Sequence, residues 1–367
     1  MHSIANSSLA DTSVSVVVPV LNGARWLPDV LAAIRAELAG RRHEILVVDD
    51  GSCDQSEEVC RRIGDANLQV IAGPRRGAAA AVNAGLRLAR FDVVAQIDQD
   101  VIVQPGWLDA LLAALGDPRV AAAQGWYVTD PAASALARVM SIDLEQRYAR
   151  IDRGDTDHVC TGNVVWRLEA LRRVGLLDET LGYGYDNDLS YRLIAAGYRL
   201  VICRRAASVH RWRDGWISYL TQQYGFGYGR IDLVARHRNR LRGDAVSPPT
   251  MMAHPVLMAA SLGALLCAGV CWLIARPVAP WTLGAATLLG VLVVERGIAG
   301  VAAARRWRDP AALLFPVVHL LRDLAWVAAM GRWLTRRIVG APPAPAHSMH
   351  PRAVAPAAIV IPAAEER

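Results

Sequence analysis

The sequence predicts an α/β domain on a mostly parallel sheet, followed by an α-helical membrane segment, and three observations carry that prediction. β-Branched runs alternate with helical patterns through roughly the first hundred residues. Two acidic clusters, Asp49-Asp50 and Asp98-Gln99-Asp100, each close one of those runs. From about residue 245 to 330 the chain turns apolar, with no Asp, Glu or Arg between Ala245 and Ala275.

The valine-rich run 14–20 reads as the first strand, and Asn22-Gly23 as the turn after it. Residues 26–38 repeat apolar positions at helical spacing. A second strand over 44–48 ends in Asp49-Asp50-Gly51-Ser52, and a helix over 55–63 leads to a strand at 68–72. A helix over 78–89 and a strand over 91–97 continue the alternation, closed by Asp98-Gln99-Asp100. Sheets of this kind bind ligands outside the carboxyl ends of their strands, where both acidic clusters lie. Beyond Ala121 the pattern loosens. Strands are expected at 125–128, 159–166 and 200–203, and helices at 132–148, from Leu168, and at 186–196. Two Gly/aromatic stretches, 182–185 and 222–229, read as loops, serving either as flexible turns or as a platform for a sugar ring.

The domain plan is a flexible N-terminus (1–13), a catalytic domain (14–240), a membrane region (250–338) and a disordered Ala/Pro-rich tail (341–367). Within the membrane region, 254–275 and 278–300 are expected to span. Arg230, Arg236, Arg238, Arg240 and Arg242 precede the first span, Arg305, Arg306 and Arg308 follow the second, and only Arg276 lies between. The positive-inside rule then gives a hairpin with both ends, and the catalytic domain, on the cytosolic side of the inner membrane. The third apolar stretch, 311–335, carries His319, Arg322, Asp323 and Trp326 on one helical stripe. It reads as an interfacial or re-entrant helix, with a third span as the alternative.

Every basic residue is Arg, and the net charge is +6. A phosphate clamp must therefore use Arg or backbone N–H groups, and a lysine Schiff base is excluded. The arginines flank apolar stretches rather than interleaving with aromatics, so membrane lipid, not nucleic acid, is the expected partner. The six cysteines form no CxxC pair and are expected free.

Alone, either acidic cluster reads as a solvated turn. Together, at two strand ends of one sheet, one could read a base or ribose while the other holds a metal against phosphates. The wider set of motifs resembles family 2 glycosyltransferases. Val17-Val-Pro-Val-Leu-Asn-Gly23 is similar to their first strand and loop, and Val47-Val-Asp-Asp-Gly-Ser52 to their nucleoside motif. Arg76-Gly77 with Asn83-Ala-Gly85 resembles the following helix, and Asp98-Gln-Asp100 the metal-binding DxD. Thr161-Gly-Asn163, residues 172–178 and Gly184-Tyr-Asp-Asn-Asp-Leu-Ser-Tyr-Arg192 resemble the acceptor-side segment.

The resemblance implies a GT-A fold and a divalent cofactor, Mn²⁺ or Mg²⁺. It implies that Pro19, Asn22, Asp50, Arg76 and Asp98 bind the nucleotide-sugar donor, and that Asp98, Asp100 and His210 hold the metal. Asp186 would be the general base of an inverting single displacement, with Tyr185, Asp188, Gln222 and Gln223 toward the acceptor. Tyr185 departs from the family pattern, which has Glu before the base, and that departure leaves a catalytically degenerate binding scaffold as one alternative. No Q-x-x-R-W motif of processive relatives occurs. The expected activity is transfer of one sugar to a glycan or lipid-linked acceptor at the membrane, in cell-envelope glycan or glycolipid synthesis. A polyprenyl-phosphate sugar synthase is the other alternative.

Overall fold

The computed structural model describes residues 11–151 and 154–340. The tail 341–367 and most of the expected N-terminal segment 1–13 lie outside those residues. Four parallel strands form the first half of the sheet, in the order β3 (Leu68–Ala72), β2 (His43–Asp49), β1 (Val14–Val20), β4 (Val93–Ile97). The alternation of side chains along β1 places Val14, Val16, Val18 and Val20 in one core and Val17 in the other. Helices α1 (Leu27–Glu37) and α4 (Trp107–Ala114) cover the first face; α3 (Ala78–Leu88), α6 (Leu168–Val174) and α7 (Tyr185–Ala195) cover the second. Helix α2 (Ser56–Ile63) flanks β3.

The second half of the sheet is mixed. Strand β8 (Asn163–Arg167) runs antiparallel to both β4 and β6 (Val120–Tyr127). Strand β9 (Arg199–His210) is parallel to β6 and carries the short antiparallel partners β5 (Val101–Val103) and β7 (Asp155–Thr156). Three strands therefore differ in extent from the expectation. The strand expected at 159–166 begins only at Asn163, β6 starts five residues before Gly125, and β9 runs seven residues past Cys203. Arg204 and Arg205 on β9 are exposed, so the apolar signal stops there while the pairing continues.

Helix α5 (Ala135–Tyr148) leads toward the membrane region, and α8 (Trp216–Arg236) corrects the reading of 222–229 as a loop. Its glycines are contact points. A Cβ on Gly227 would stand 2.8 Å from Trp326 Cα, and one on Gly229 would stand 2.7 Å from the Tyr183 carbonyl oxygen. Close helix packing, not backbone flexibility, explains these glycines.

Among the described residues, three helices in the last third are long and apolar enough to cross a membrane. They are α9 (Pro249–Leu273), α10 (Ala279–Trp307) and α11 (Phe315–Ile338), the last entered through a 3₁₀ turn at Pro310–Leu314. α9 and α10 pack together and expose large apolar side chains such as Leu266, Trp272, Leu283 and Ile298. α11 behaves differently. It runs parallel to α8: Tyr219 Oη donates to the Val318 carbonyl at 3.2 Å, Gly227 abuts Trp326, and Trp333 Nε1 donates to Asp232 at 2.8 Å. Its polar stripe is turned inward, with His319, Arg322, Asp323 and Trp326 all buried. Arg322 pairs with Asp323 and contacts His254 of α9, and His319 lies 3.6 Å from Asp143 of α5.

Candidate active site

Asp50 follows β2, and the loop before α3 wraps around its carboxylate. Arg75 and Arg76 N–H donate to Oδ1 at 2.7 and 3.3 Å, and Gly77 N–H to Oδ2 at 2.7 Å. Burial raises its pKa and those three amides pull against the rise. Asn22 bridges the neighbouring strand ends, its N–H donating to Ser52 Oγ while its side-chain oxygen accepts from Cys53 N–H.

Asp98, Gln99 and Asp100 form the turn between β4 and β5. Gln99 clamps the β1 loop by two hydrogen bonds to Leu21. Antiparallel pairing of β5 and β9 sets Val101 opposite His210, and that register brings a residue 110 positions along the chain beside Asp100. His210 Nε2 lies 3.6 Å from Asp100 Oδ1. Burial lowers the His210 pKa, which favours the neutral ring, and among the described residues its buried Nδ1 has no hydrogen-bond partner. Burial, together with Asp100 and Asp186, raises the Asp98 pKa to about 7. Carboxylates crowded in this way, with a neutral imidazole beside them, are a donor set suited to a hard divalent cation.

Asp186 opens α7. Its Oδ1 accepts from Asn187 N–H, and its Oδ2 lies 3.6 Å from His158 Nε2. Burial, with Asp98 and Asp186 close by, raises the Tyr185 hydroxyl well above its usual range, so this phenol is a neutral hydrogen-bonding group beside two acids. Burial opposes a charge on His158, but Cys160, Asp186 and Asp244 outweigh it and hold the pKa well above the usual range. Asp244, fully buried, accepts from Tyr191 Oη, Arg230 and the backbone of Ser247.

Many of these side chains border one cavity of about 820 Å³. Pro19, Asn22, Asp50, Asp98, Asp100 and His210 border it, as do Tyr185, Asp186, Gln222 and Gln223. Its wall continues through Arg147 of α5 to Met251 of α9 and to Val318, Arg322 and Trp326 of α11.

The family model described as glycosyl transferase family 2 matches residues 15–175. An uncharacterized glycosyltransferase of Mycobacterium bovis is 34% identical over 201 residues, which cover 53% of this chain and 84% of that protein. The chain belongs to the family 2 glycosyltransferases. A pre-mycofactocin glycosyltransferase of Mycobacterium tuberculosis is 33% identical over 269 residues, covering 71% of this chain; the chain spans 56% of the length of that relative. In fold, this glycosyltransferase is similar to the mannosyltransferase PcManGT from Pyrobaculum calidifontis, solved in complex with GDP-Man and Mn²⁺. The TM-score is 0.55 at 21% identity, with 88% of this chain and 86% of that chain covered, and the shared architecture is GT-A.

Two expected site residues of the glycosyltransferase lie off the cavity. The Arg76 guanidinium pairs with Glu179 at 2.7 Å, so only its backbone N–H serves the Asp50 loop. Asp188 stands two residues past Asp186, about 200° around the helix, and points away. Its oxygens meet Arg192 and His237, each at 2.8 Å. Conversely, sequence reasoning passed over His158, Cys160, Arg147, Arg230 and Asp244. The one local signal was His158-Val-Cys160 immediately before Thr161-Gly-Asn163.

Proposed function

We propose that this glycosyltransferase moves one sugar, with inversion, from a nucleotide sugar to an acceptor that reaches it from the membrane. The observation that carries the reading is the continuity of the cavity from the Asp50 and Asp98–Asp100 end to Met251, Arg322 and Trp326. Asp98, Asp100 and His210 would hold Mn²⁺ or Mg²⁺, which offsets charge on the departing diphosphate when bound. Asp50 and Asn22 border the donor end. Asp186 takes the proton of the acceptor hydroxyl as that oxygen attacks the anomeric carbon and the bond to the diphosphate breaks. Tyr185, Gln222 and Gln223 stand on the acceptor side.

The hairpin of α9 and α10 is the anchor in this reading, and α11 lies flush with the catalytic domain along α8. The arginines before α9 and after α10 support the reading that both ends, with the catalytic domain, lie on the cytosolic face of the inner membrane. The acceptor is lipid-linked or membrane-proximal, as in cell-envelope glycan or glycolipid synthesis.

Calorimetric titration of the detergent-purified chain with UDP, GDP, TDP and CDP, each with and without Mn²⁺, tests the donor site. Metal-dependent binding of one nucleotide is expected. Asp186→Asn should keep that binding and lower transfer by about 10²–10⁴-fold; unchanged turnover would refute the assignment of the base. A phosphate acceptor is the second reading, supported by Arg147, Arg230 and Arg322 on the cavity wall. It predicts that transfer to a polyprenyl phosphate survives Asp186→Asn, because a phosphate oxygen needs no base.

A further inference from the structure

Beside the hard-ligand cluster at Asp98, Asp100 and His210 stands a second group of a different chemical character. His158, Cys160 and Asp186 each offer one ligand atom, and these three atoms all lie within 4.8 Å of one another. Both neighbours of the ring approach the same nitrogen. His158 Nε2 is 3.6 Å from Asp186 Oδ2 and 3.9 Å from Cys160 Sγ. In a tetrahedral zinc site with Zn–S about 2.3 Å and Zn–N and Zn–O about 2.0 Å, the ligand–ligand edges are roughly 3.3–3.6 Å. The two edges at Nε2 exceed that range by at most a few tenths of an ångström, and the third, between Cys160 and Asp186, lies within 4.8 Å and must contract for an ion to bind.

Three further features fit. His158 is only 5% exposed, and among the described residues its other nitrogen, Nδ1, has no hydrogen-bond partner while facing Asp244 Oδ1 at 3.9 Å. A carboxylate behind the far nitrogen of a ligating histidine is the usual orienting arrangement of such sites. Secondly, His158, Cys160 and Asp186 all line the cavity, which leaves a fourth position open to it. Thirdly, the charges match: a thiolate and a carboxylate neutralise a divalent ion.

We propose that His158, Cys160 and Asp186 form an inhibitory site for a soft divalent cation, Zn²⁺ in particular, separate from the Mn²⁺ or Mg²⁺ site. Thiolate and imidazole select zinc over the hard ions. Binding needs a thiolate and an unprotonated Nε2, so any proton these atoms carry leaves to solvent. It also takes the Asp186 carboxylate, so a loaded enzyme lacks its base; this consequence rests on the role proposed above for Asp186, whereas metal binding itself does not.

The test uses the chelator-treated full chain in detergent, with Co²⁺ as a spectroscopic stand-in for Zn²⁺. One equivalent of Co²⁺ should produce an intense ultraviolet sulfur-to-cobalt charge-transfer band that Zn²⁺ abolishes and Mg²⁺ does not. Cys160→Ser should lose the band, and His158→Gln should lose or weaken it, with each variant's thermal unfolding confirming that it folds. In activity assays, Zn²⁺ should inhibit the Mn²⁺-supported reaction of the parent chain but not that of Cys160→Ser. Absence of the band in the parent chain, or a band unchanged in Cys160→Ser, overturns the proposal. If no nucleotide sugar is ever turned over, the proposed function fails while the cobalt band still decides this one.

Discussion

Gly229→Ala offers a sharp test of how the loop before Asp186, the proposed base, is held. The added methyl would meet Tyr183 Cβ and its carbonyl oxygen at 2.7 Å each, and the carbonyl carbon at 3.0 Å. Two of these are backbone atoms, so no rotamer change relieves the contact, and helix α8 or the loop at Tyr183 must shift. Overpacking of this kind costs about 1–3 kcal/mol. Alanine in a helix interior recovers about 1 kcal/mol of propensity, leaving a net destabilisation of about 0–2 kcal/mol. Gly331→Ala is the control. That glycine lies on α11 with nothing within 4 Å of a built Cβ, so only the propensity gain applies and the sign reverses. Activity should discriminate more strongly than stability. Tyr183 lies three residues before Asp186, and misplacing a catalytic group by about 1 Å costs on the order of 10²-fold. Transfer should fall by about 10–100-fold, while nucleotide binding, assigned above by proposal to the Asp50 side of the cavity, should stay intact. Thermal unfolding in detergent, steady-state transfer and nucleotide calorimetry measure the three quantities. Full transfer activity in Gly229→Ala, or equal effects on stability from the two variants, would refute this account of α8.

Two further predictions concern ionisation. Because Asp98 titrates near 7 in the metal-free protein and must ionise to bind a metal, Mn²⁺ affinity should rise with pH up to that point. Binding below pH 7 should release a proton, measurable as a dependence of the calorimetric heat on buffer ionisation enthalpy; no such dependence would remove Asp98 from the ligand set. Asp244, held at about 2 by His158 and Arg230 against its burial, lies below its unfolded value. Its stabilisation is therefore complete above about pH 4 and lost as pH falls toward 2. Asp244→Asn should destabilise the protein by about 3–5 kcal/mol at neutral pH and flatten the acid limb of its stability curve, as followed by thermal unfolding across pH.

The parallel half of the fold was legible because each of its strands is a short apolar run ended by Gly, Asn or Asp, and the ligand-binding end of such a sheet follows from its topology. Asp50, Asp98 and Asp100 were therefore placed by their strands alone. The stretch 222–229 was not legible. Three glycines in eight residues argue locally against a helix, and only the facing Tyr183 and Trp326, which demand close approach, make helix the favoured state there. His158 and Cys160 were invisible for another reason. Their meaning depends on Asp186 and Asp244, which come from separate elements and bear no sequence spacing to them. Asp188 failed in the opposite direction: adjacency in sequence to Asp186 became opposition in space once both lay on one helix. The inward turn of the α11 stripe likewise depends on α5, more than 150 residues earlier.

The seam between α8 and α11 carries a kinetic consequence. A catalytic head on a loose tether sweeps a volume and meets its acceptor by three-dimensional search. Here Tyr219, Gly227 and Asp232 dock α8 against α11, which on the membrane reading proposed above holds the cavity wall at Met251 at a constant height over the lipid surface. On the proposed lipid-borne acceptor, turnover should then follow the mole fraction of that acceptor in the bilayer plane. Diluting it with inert lipid slows the enzyme at constant bulk concentration, and adding water does not.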